Sequence, residues 1–303
     1  MNPAIKKHLN KRLLYKAADI VSTIIITGFS LWCLYLLGRI FCFDTFVIPT
    51  CSMMPTLIPG DRIVVNKMLY GARIYTDFNF SRKGNRLQCW RTNGLRDIRR
   101  GDIVVFNMPY HSNCDTIKFI INYVYCKRCV ALPGDSISIH GGFYANNNTS
   151  DTLGIVYRQR MLASMPDSLF SAEAFRALPY DDNMPRWTIK DFGPLYIPRR
   201  GDRIAITPAS ATLYRKLIEW ERHCRLTVDW THRRVLADGH TLSHHTFAHD
   251  YFFMAGDNAP DSHDSRYMGL IPDDYIIGIA TIIKYSQDRQ TGEMRWERTL
   301  KGL

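Results

Sequence analysis

The residue types needed for nucleophilic catalysis occur at two places in this sequence. Ser52 ends a short apolar segment, and alternate side chains of an extended chain share one face. The side chains expected to share a face with Ser52 are Phe46, Ile48 and Thr50. Lys127 lies inside an apolar strand, where burial lowers the pKa of an amine, and a neutral amine accepts a proton from a serine hydroxyl. Ser52 and Lys127 therefore predict a nucleophile and its general base.

A third segment, from Phe253 to Gly269, is crowded with short hydrogen-bonding side chains. Within it, Asp264 and Arg266 are spaced for a salt bridge. This spacing predicts an ion pair that fixes the shape of the loop.

The sequence after the N-terminal region predicts a mostly β fold, because short apolar runs alternate with turn residues. A Gly-Asp turn precedes a predicted strand at four places. The predicted strands are Arg62–Val65, Ile103–Phe106, Ile117–Val130, Ile137–Ile139, Ile204–Ile206, Tyr251–Met254 and Tyr275–Tyr285. Thr207-Pro208 is a helix-start signal that predicts a helix over Ala209–Cys224. The recurring turns therefore predict a mostly β body with tight corners.

The N-terminal region has the pattern of a membrane anchor. No charged side chain occurs from Ile20 to Gly38, a length of about 28 Å as a helix, close to the hydrocarbon thickness of a bilayer. Five basic residues precede this run: Lys6, Lys7, Lys11, Arg12 and Lys16. The positive-inside rule then predicts a cytoplasmic tail (1–19), a single-pass anchor (20–41) in the inner (plasma) membrane, and a catalytic domain on the extracytoplasmic side. The alternative is a buried core helix.

Composition and charge limit the partners. With 303 residues, 46% hydrophobic and 22% charged, the chain is neither disordered nor fibrous. The net charge of +11 indicates an acidic partner, either nucleic acid or an anionic membrane surface. The apolar run favours the membrane, and no zinc-finger or RNA-binding signature is present. Basic residues are dense from Arg82 to Arg100, where the alternatives are a solvated loop and a contact with anionic lipid.

Taken together, these segments resemble the type I signal peptidase (leader peptidase) family of membrane-anchored serine proteases with a Ser-Lys dyad. The four motifs occur in the family's order. They are SMMPTL at 52–57 with Gly60-Asp61, RGDIVVF at 100–106, KRCVALPGD at 127–135, and Gly256-Asp257-Asn258 followed by Ser262, Asp264-Ser265-Arg266 and Gly269. The resemblance implies an antiparallel β-sheet catalytic core of residues 45–139 and 250–290, with residues 140–249, which match only weakly, as an inserted cap region. Ala259 and Met268 stand where many members have arginine and an aromatic residue.

The resemblance implies a role for each matching residue. Ser52 is then the nucleophile and Lys127 the general base, with no metal and no other cofactor. The backbone N–H of Ser52 and the hydroxyl of Thr50 form the oxyanion hole, and Ser262 positions the lysine amine. Residues with a structural supporting role are Asp257, Asp264 and Arg266.

The family's substrates are exported preproteins with small residues at the −1 and −3 positions of the cleavage site. The expected walls of the two pockets are Phe46, Ile48, Tyr125 and Cys126. Such pockets admit alanine and exclude larger side chains by overpacking. The resemblance therefore implies a membrane-bound endopeptidase that removes signal peptides, with preproteins and an anionic lipid bilayer as its partners and no nucleic acid.

Several other interpretations stay open on the sequence alone. Cys51 is an alternative nucleophile, although alternation points it away from Thr50 and Ser52. Cys126 and Cys129 have a zinc-like spacing without a second ligand pair. A cluster of histidines invites a metal-site interpretation: His240, His244, His245 and His249. Disulfides cannot be assigned, and the other two function classes are a binding protein that has lost activity and a self-cleaving Ser-Lys repressor.

Overall fold

The computed structural model describes residues 3–77, 87–110 and 116–303, with side chains from residue 15 onward. Some predictions fall outside these residues. They concern the side chains of Lys6, Lys7, Lys11 and Arg12, the basic residues Arg82, Lys83 and Arg86, and Cys114.

The helices are α1 (Pro3–Phe41), α2 (Val156–Ser164), α3 (Ala172–Phe175), α4 (Pro208–Arg222) and α5 (Ser265–Met268). The strands from the anchor to the middle of the chain are β1 (Phe43–Val47), β2 (Asp61–Asn66), β3 (Arg73–Tyr75), β4 (Cys89–Arg91), β5 (Ile103–Asn107), β6 (Val124–Ala131), β7 (Ser136–His140), β8 (Phe143–Asn146) and β9 (Phe192–Tyr196). The later strands are β10 (Arg203–Ala205), β11 (Leu226–Asp229), β12 (Arg234–Ala237), β13 (His240–Thr241), β14 (His244–Thr246), β15 (Tyr251–Ala255), β16 (Ile271–Pro272), β17 (Ile276–Ser286) and β18 (Lys301–Gly302).

One antiparallel sheet forms the centre of the fold, in the order β1-β2-β17-β5-β6-β15-β16, with β18 paired to β17. The predicted mostly β fold class is confirmed. The sheet has buried apolar side chains on both faces, so its strands are nearly continuously hydrophobic. Its neighbours β5, β6 and β15 lie side by side, which brings the lysine motif next to the C-terminal motif.

The four Gly-Asp turns are built in the same way. Each glycine, at positions 60, 101, 134 and 201, has a φ between +88° and +97°, a conformation that suits glycine because it has no Cβ. In each turn the aspartate carboxylate accepts the backbone N–H of the residue three positions earlier. The donors are Ile58, Arg99, Leu132 and Arg199. The recurrence seen in the sequence therefore reflects a repeated turn with its own side-chain hydrogen bond.

The strand predicted over Ile117–Val130 is only partly right, because β6 begins at Val124. The Asn107 side-chain amide donates to the carbonyls of Ile120 and Ile121, at 3.1 and 2.8 Å. These carbonyls are therefore satisfied by a side chain instead of a neighbouring strand, so this stretch is apolar but lies outside the sheet ladder.

The predicted helix is confirmed as α4, two residues shorter at its C-terminal end and one longer at its start. Thr207 caps it in a reciprocal arrangement with Ser210, and Pro208 occupies the first turn. Residues 140–249 also contribute small sheets, one of which pairs β8 and β9 with β7. Strand β7, which we assigned to the core, thus belongs to a sheet with two strands from residues 140–249.

Among the described residues, one helix segment, Tyr15–Phe41, is long and apolar enough to cross a membrane. It runs almost directly into the sheet, because α1 ends at Phe41 and β1 begins at Phe43. The Lys67 amine fastens this junction by donating to the carbonyl of Arg39 (2.8 Å) and the carboxylate of Asp44 (3.1 Å).

Candidate active site

Ser52 lies in the turn segment between β1 and β2, where the chain has no regular secondary structure. Two side chains of this segment, Met53 and Leu57, are fully buried and anchor it to the core. The backbone N–H of Leu57 donates to the carbonyl of Met53 at 3.0 Å. These buried neighbours leave the Ser52 side chain half-buried at the surface of the sheet, which is a suitable position for a nucleophile.

Lys127 lies in the middle of β6 and is only 2% exposed. Its Nζ is 2.5 Å from Ser52 Oγ. Burial lowers the pKa of the Lys127 amine because the ammonium form is poorly solvated, and the nearby carboxylate of Asp264 only partly opposes this effect. The amine is thus biased toward the neutral form that accepts a proton from the Ser52 hydroxyl.

The hydroxyl of Thr50 lies on the same side of the chain as the Ser52 hydroxyl, and the two oxygens are 3.4 Å apart. The two hydroxyls are neighbours as expected, although β1 ends at Val47 and residues 50–52 form a bend and turn instead of an extended strand. Cys51 is exposed, and its carbonyl accepts from the Asn258 side-chain amide (3.2 Å). The Ser52 carbonyl accepts from the Asn258 backbone N–H (3.0 Å), so the C-terminal motif holds the nucleophile from the other side.

Ser262 lies close to the pair but is not in a hydrogen bond with Lys127. Its Oγ is buried and has no hydrogen-bond partner in the part of the chain that the structure describes. Gly256 passes between it and the nucleophile, and a Cβ there would lie 2.0 Å from Ser262 Oγ and 2.5 Å from the Ser52 carbonyl oxygen. Only glycine fits at this position, because the backbone approaches both serines.

The predicted ion pair between Asp264 and Arg266 is present and fully buried. Arg266 donates from Nε and Nη2 to the two carboxylate oxygens, each at 2.9 Å. Burial opposes the charge on Asp264, but the guanidinium of Arg266 and the N–H of Gly256 hold the pKa of this carboxyl below its usual value. The ion pair therefore stays charged and fixes the loop that carries Ser262.

A second ion pair joins Arg128 and Asp257. The sequence analysis predicted a supporting role for Asp257 but did not predict its partner. Arg128 points to the face of β6 opposite to Lys127 and donates to both Asp257 oxygens, at 2.6 and 2.7 Å. It also donates to the carbonyl of Gly101 (2.6 Å). Because Lys127 and Arg128 are neighbours on a strand, the sequence indicates that their side chains point to opposite faces. It does not indicate that Asp257 is the partner of Arg128.

The four predicted pocket residues do not all lie together. Phe46, Ile48 and Cys126 belong to one apolar cluster with Met53. Tyr125 instead packs against the larger cluster on the other face of the sheet, with Lys127 Nζ 5.8 Å from its ring centre. The structure therefore brings three of these residues together beside the nucleophile segment and places Tyr125 beside the base.

The histidines do not form a common site. His245 is paired with the buried carboxylate of Glu221 (2.8 Å), and His249 with Asp273 (2.9 Å). Within the described residues, one group has ligand atoms within 4.8 Å of one another: His249, Asp273 and Asp274. Asp273 in this group already accepts from Arg200 at 2.8 Å. The seven described cysteines, which include Cys126 and Cys129, are all free thiols.

The sequence is similar to those of known signal peptidases. The family model described as "Signal peptidase, peptidase S26" matches residues 20–285. A "Signal peptidase I" of Pseudomonas aeruginosa is 27% identical over 92% of this chain and 75% of its own length. One from Helicobacter pylori is 25% identical over 88% of both chains. One from Pseudomonas fluorescens is 27% identical over 80% of this chain, which spans 64% of that relative's length. A crystal structure of a signal peptidase I from Enterococcus faecalis aligns with 60% of this chain and 96% of its own, at 15% identity and a TM-score of 0.28.

Proposed function

Because the chain belongs to the signal peptidase family, peptidase S26, a family of serine endopeptidases, we propose that it removes N-terminal signal peptides from exported preproteins by Ser-Lys acyl-enzyme hydrolysis. The observation that carries the mechanism is the 2.5 Å contact between Lys127 Nζ and Ser52 Oγ. The amine is buried and its pKa is lowered, so it can act as a base without help from a histidine or a metal.

In the proposed reaction, neutral Lys127 takes the hydroxyl proton of Ser52 while Oγ attacks the carbonyl carbon of the scissile bond. The tetrahedral oxyanion is stabilised by the Ser52 backbone N–H and the Thr50 hydroxyl. The Lys127 ammonium then gives its proton to the amine of the C-terminal fragment, and the C–N bond breaks. The signal peptide remains attached to Ser52 Oγ as an ester. A water molecule, activated by the same amine, hydrolyses this ester and releases the signal peptide.

The supporting residues have distinct proposed tasks. Ser262 would accept or donate a hydrogen bond that orients the lysine amine when substrate is bound, since its buried hydroxyl is close by and still unpartnered in the described part of the chain. Asp257, Asp264 and Arg266 would keep the loop in place through their buried ion pairs.

Specificity for small residues at −1 and −3 would come from the apolar cluster around Phe46, Ile48 and Cys126, with Tyr125 at the side of the base. These residues would leave room for a small substrate side chain and would exclude a larger one by overpacking. The core of residues 45–139 and 250–290 would carry this chemistry, while the cap region would modify access to it.

The proposed location is the inner membrane, crossed by α1, with the N-terminus in the cytoplasm and the catalytic domain outside. The apolar helix segment Tyr15–Phe41 and the basic residues ahead of it support this topology. Basic residues near the anchor would favour anionic lipids. A protease added to intact spheroplasts should digest the catalytic domain and leave the N-terminal tail protected.

The direct test is to incubate the detergent-solubilised full chain with a preprotein and to map the new N-terminus by mass spectrometry. We expect one cut, after a small residue, at the end of the signal peptide. An intact preprotein that remains bound to the chain would instead support a binding protein without activity.

A further inference from the structure

The C-terminal segment of residues 287–298, which we call the C-terminal clamp, contacts the nucleophile segment of residues 49–61 through three arginine side chains. All three acceptors are backbone carbonyl oxygens. The pairs are Arg289 Nη1 to Pro49 (3.3 Å), Arg295 Nη1 to Pro59 (3.0 Å) and Arg298 Nη2 to Thr56 (2.9 Å). The clamp therefore reaches the nucleophile segment on both sides of Ser52.

Arg298 makes the strongest of these contacts because it also pairs with Asp61. Its Nε and Nη2 donate to the two carboxylate oxygens, at 3.0 and 2.6 Å. The Asp61 side chain is fully buried and accepts the backbone N–H of Ile58 as well (2.9 Å). One guanidinium thus joins a buried carboxylate and a carbonyl of the nucleophile segment, and removing it would leave a buried charge without a partner.

The clamp is itself well held. Arg295 pairs with Asp288 across its turn (2.5 Å), and the backbone N–H of Gln287 donates to the carbonyl of Gly60 (3.2 Å). The two backbones approach so closely that a Cβ on Gly60 would lie 1.9 Å from the Gln287 carbonyl oxygen. Beyond the clamp, β18 returns to pair with β17. These contacts make the clamp part of the folded domain.

The clamp lies beyond residue 285, where the match to the family model ends. The four motifs that indicate the catalytic chemistry also end before it. The residues that form the clamp therefore lie outside the part of the chain that the family model matches.

We propose that the C-terminal clamp positions the nucleophile, with Arg298 as the positioning residue that acts through Asp61 and the Thr56 carbonyl. Arg298 does not touch the reacting atoms. It fixes the backbone that carries Ser52, so that Oγ stays within proton-transfer distance of Lys127. The effect on turnover rests on the proposed peptidase function, whereas the effect on the nucleophile segment does not.

The test compares the full chain in detergent with three variants. Arg298→Gln removes the charge and the fork of donors, and Arg298→Lys keeps the charge but cannot span both acceptors. The matched control is Arg234→Gln, because Arg234 also pairs with an aspartate, Asp229 (3.0 Å), but does so at the surface of the cap region. Hydrogen–deuterium exchange of peptides within 53–61 reports on the segment without any substrate, and kcat and KM on one preprotein report on turnover.

In Arg298→Gln we expect amide exchange within 53–61 to rise roughly tenfold or more, with the cap region unchanged. We expect kcat to fall by about 10- to 100-fold while KM changes little, because a misplaced nucleophile weakens the chemical step. Arg298→Lys should show smaller changes in the same direction, and Arg234→Gln should show neither.

Unchanged exchange within 53–61, or faster exchange with unchanged kcat, would overturn the positioning role. If exchange rises throughout the chain in Arg298→Gln, this variant is destabilised as a whole, and Arg298→Lys decides the question. Faster exchange confined to 53–61 in Arg298→Lys would support the positioning role, and any other pattern in that variant would overturn it. If the unaltered chain cleaves no preprotein, the exchange result still decides whether the clamp holds the segment, and only the proposed function fails.

Discussion

Lys127 Nζ lies 2.5 Å from Ser52 Oγ although 75 positions of sequence separate the two residues. The base stands on a central strand, and the nucleophile stands on a turn that is fastened at both sides by other segments. A proton can pass between the two atoms without movement of either element. The fold itself therefore positions the base against the nucleophile.

Replacing either member of this pair should abolish cleavage. Ser52→Ala removes the attacking oxygen and Lys127→Ala removes the proton acceptor, so each should reduce kcat by roughly 10³-fold or more. Both variants should retain their thermal unfolding midpoint within a few degrees, which is checked by circular dichroism. Normal cleavage of a preprotein by either variant would show that the replaced residue is not the nucleophile or the general base.

Activity should rise with pH. Lys127 has a lowered pKa and must be neutral to accept the Ser52 proton, so kcat/KM should be low below this pKa and level off above it. The rise should therefore occur below the usual lysine value of about 10.4. A profile that falls with pH over this range would contradict the amine base. A chelator should leave the rate unchanged, whereas a loss of activity restored by zinc would point to the group of His249, Asp273 and Asp274.

Thr50 should contribute its hydroxyl hydrogen to the oxyanion. Thr50→Ser keeps this donor and should be nearly neutral, whereas Thr50→Val keeps the shape and should reduce kcat by about 10²–10³-fold with little change in KM. Turnover of both variants on one preprotein is the measurement. Thr50 is exposed and lies in a bend, so a loss of activity in Thr50→Val would not come from lost packing. An unchanged kcat in Thr50→Val would contradict the oxyanion role.

Arg128→Ala should harm stability more than chemistry. The change leaves the buried Asp257 carboxylate unpaired, which typically costs about 3–5 kcal/mol. Denaturant unfolding should show this loss, while the folded fraction should keep far more activity than Lys127→Ala does. Adding Asp257→Asn should recover part of the lost stability, because it removes the unpaired charge. Additive losses in the double variant would show that the two side chains do not act as a pair.

Short-range patterns in the sequence predicted much of this arrangement. Thr50 and Ser52 are two positions apart, and their hydroxyl oxygens lie 3.4 Å apart as expected, although the chain forms a turn here and not the extended strand from which this was predicted. The spacing of Asp264 and Arg266 predicted their ion pair, which is present. Both inferences succeed because side chains two positions apart can meet through local geometry alone.

Contacts between distant segments were not predictable in this way. Arg298 and Asp61 are 237 positions apart, and nothing in the composition of either segment identifies the other. The strand predicted from Ile117 failed for a similar reason, because the Asn107 side chain takes up the carbonyls that a sheet neighbour would have needed. Periodicity reports that a residue is buried and does not report which group it meets.

The short junction between α1 and β1 limits how far the nucleophile can stand from the bilayer. Ser52 is eleven positions after Phe41, so even a fully extended link would reach only about 40 Å, and the contacts of Lys67 hold the start of this link against the sheet. A membrane-embedded α1 would then limit the distance between Ser52 and the lipid surface. Scissile bonds would be selected by their height above the lipid surface as well as by their side chains, and a preprotein with a longer spacer after its apolar segment would pass the enzyme uncut.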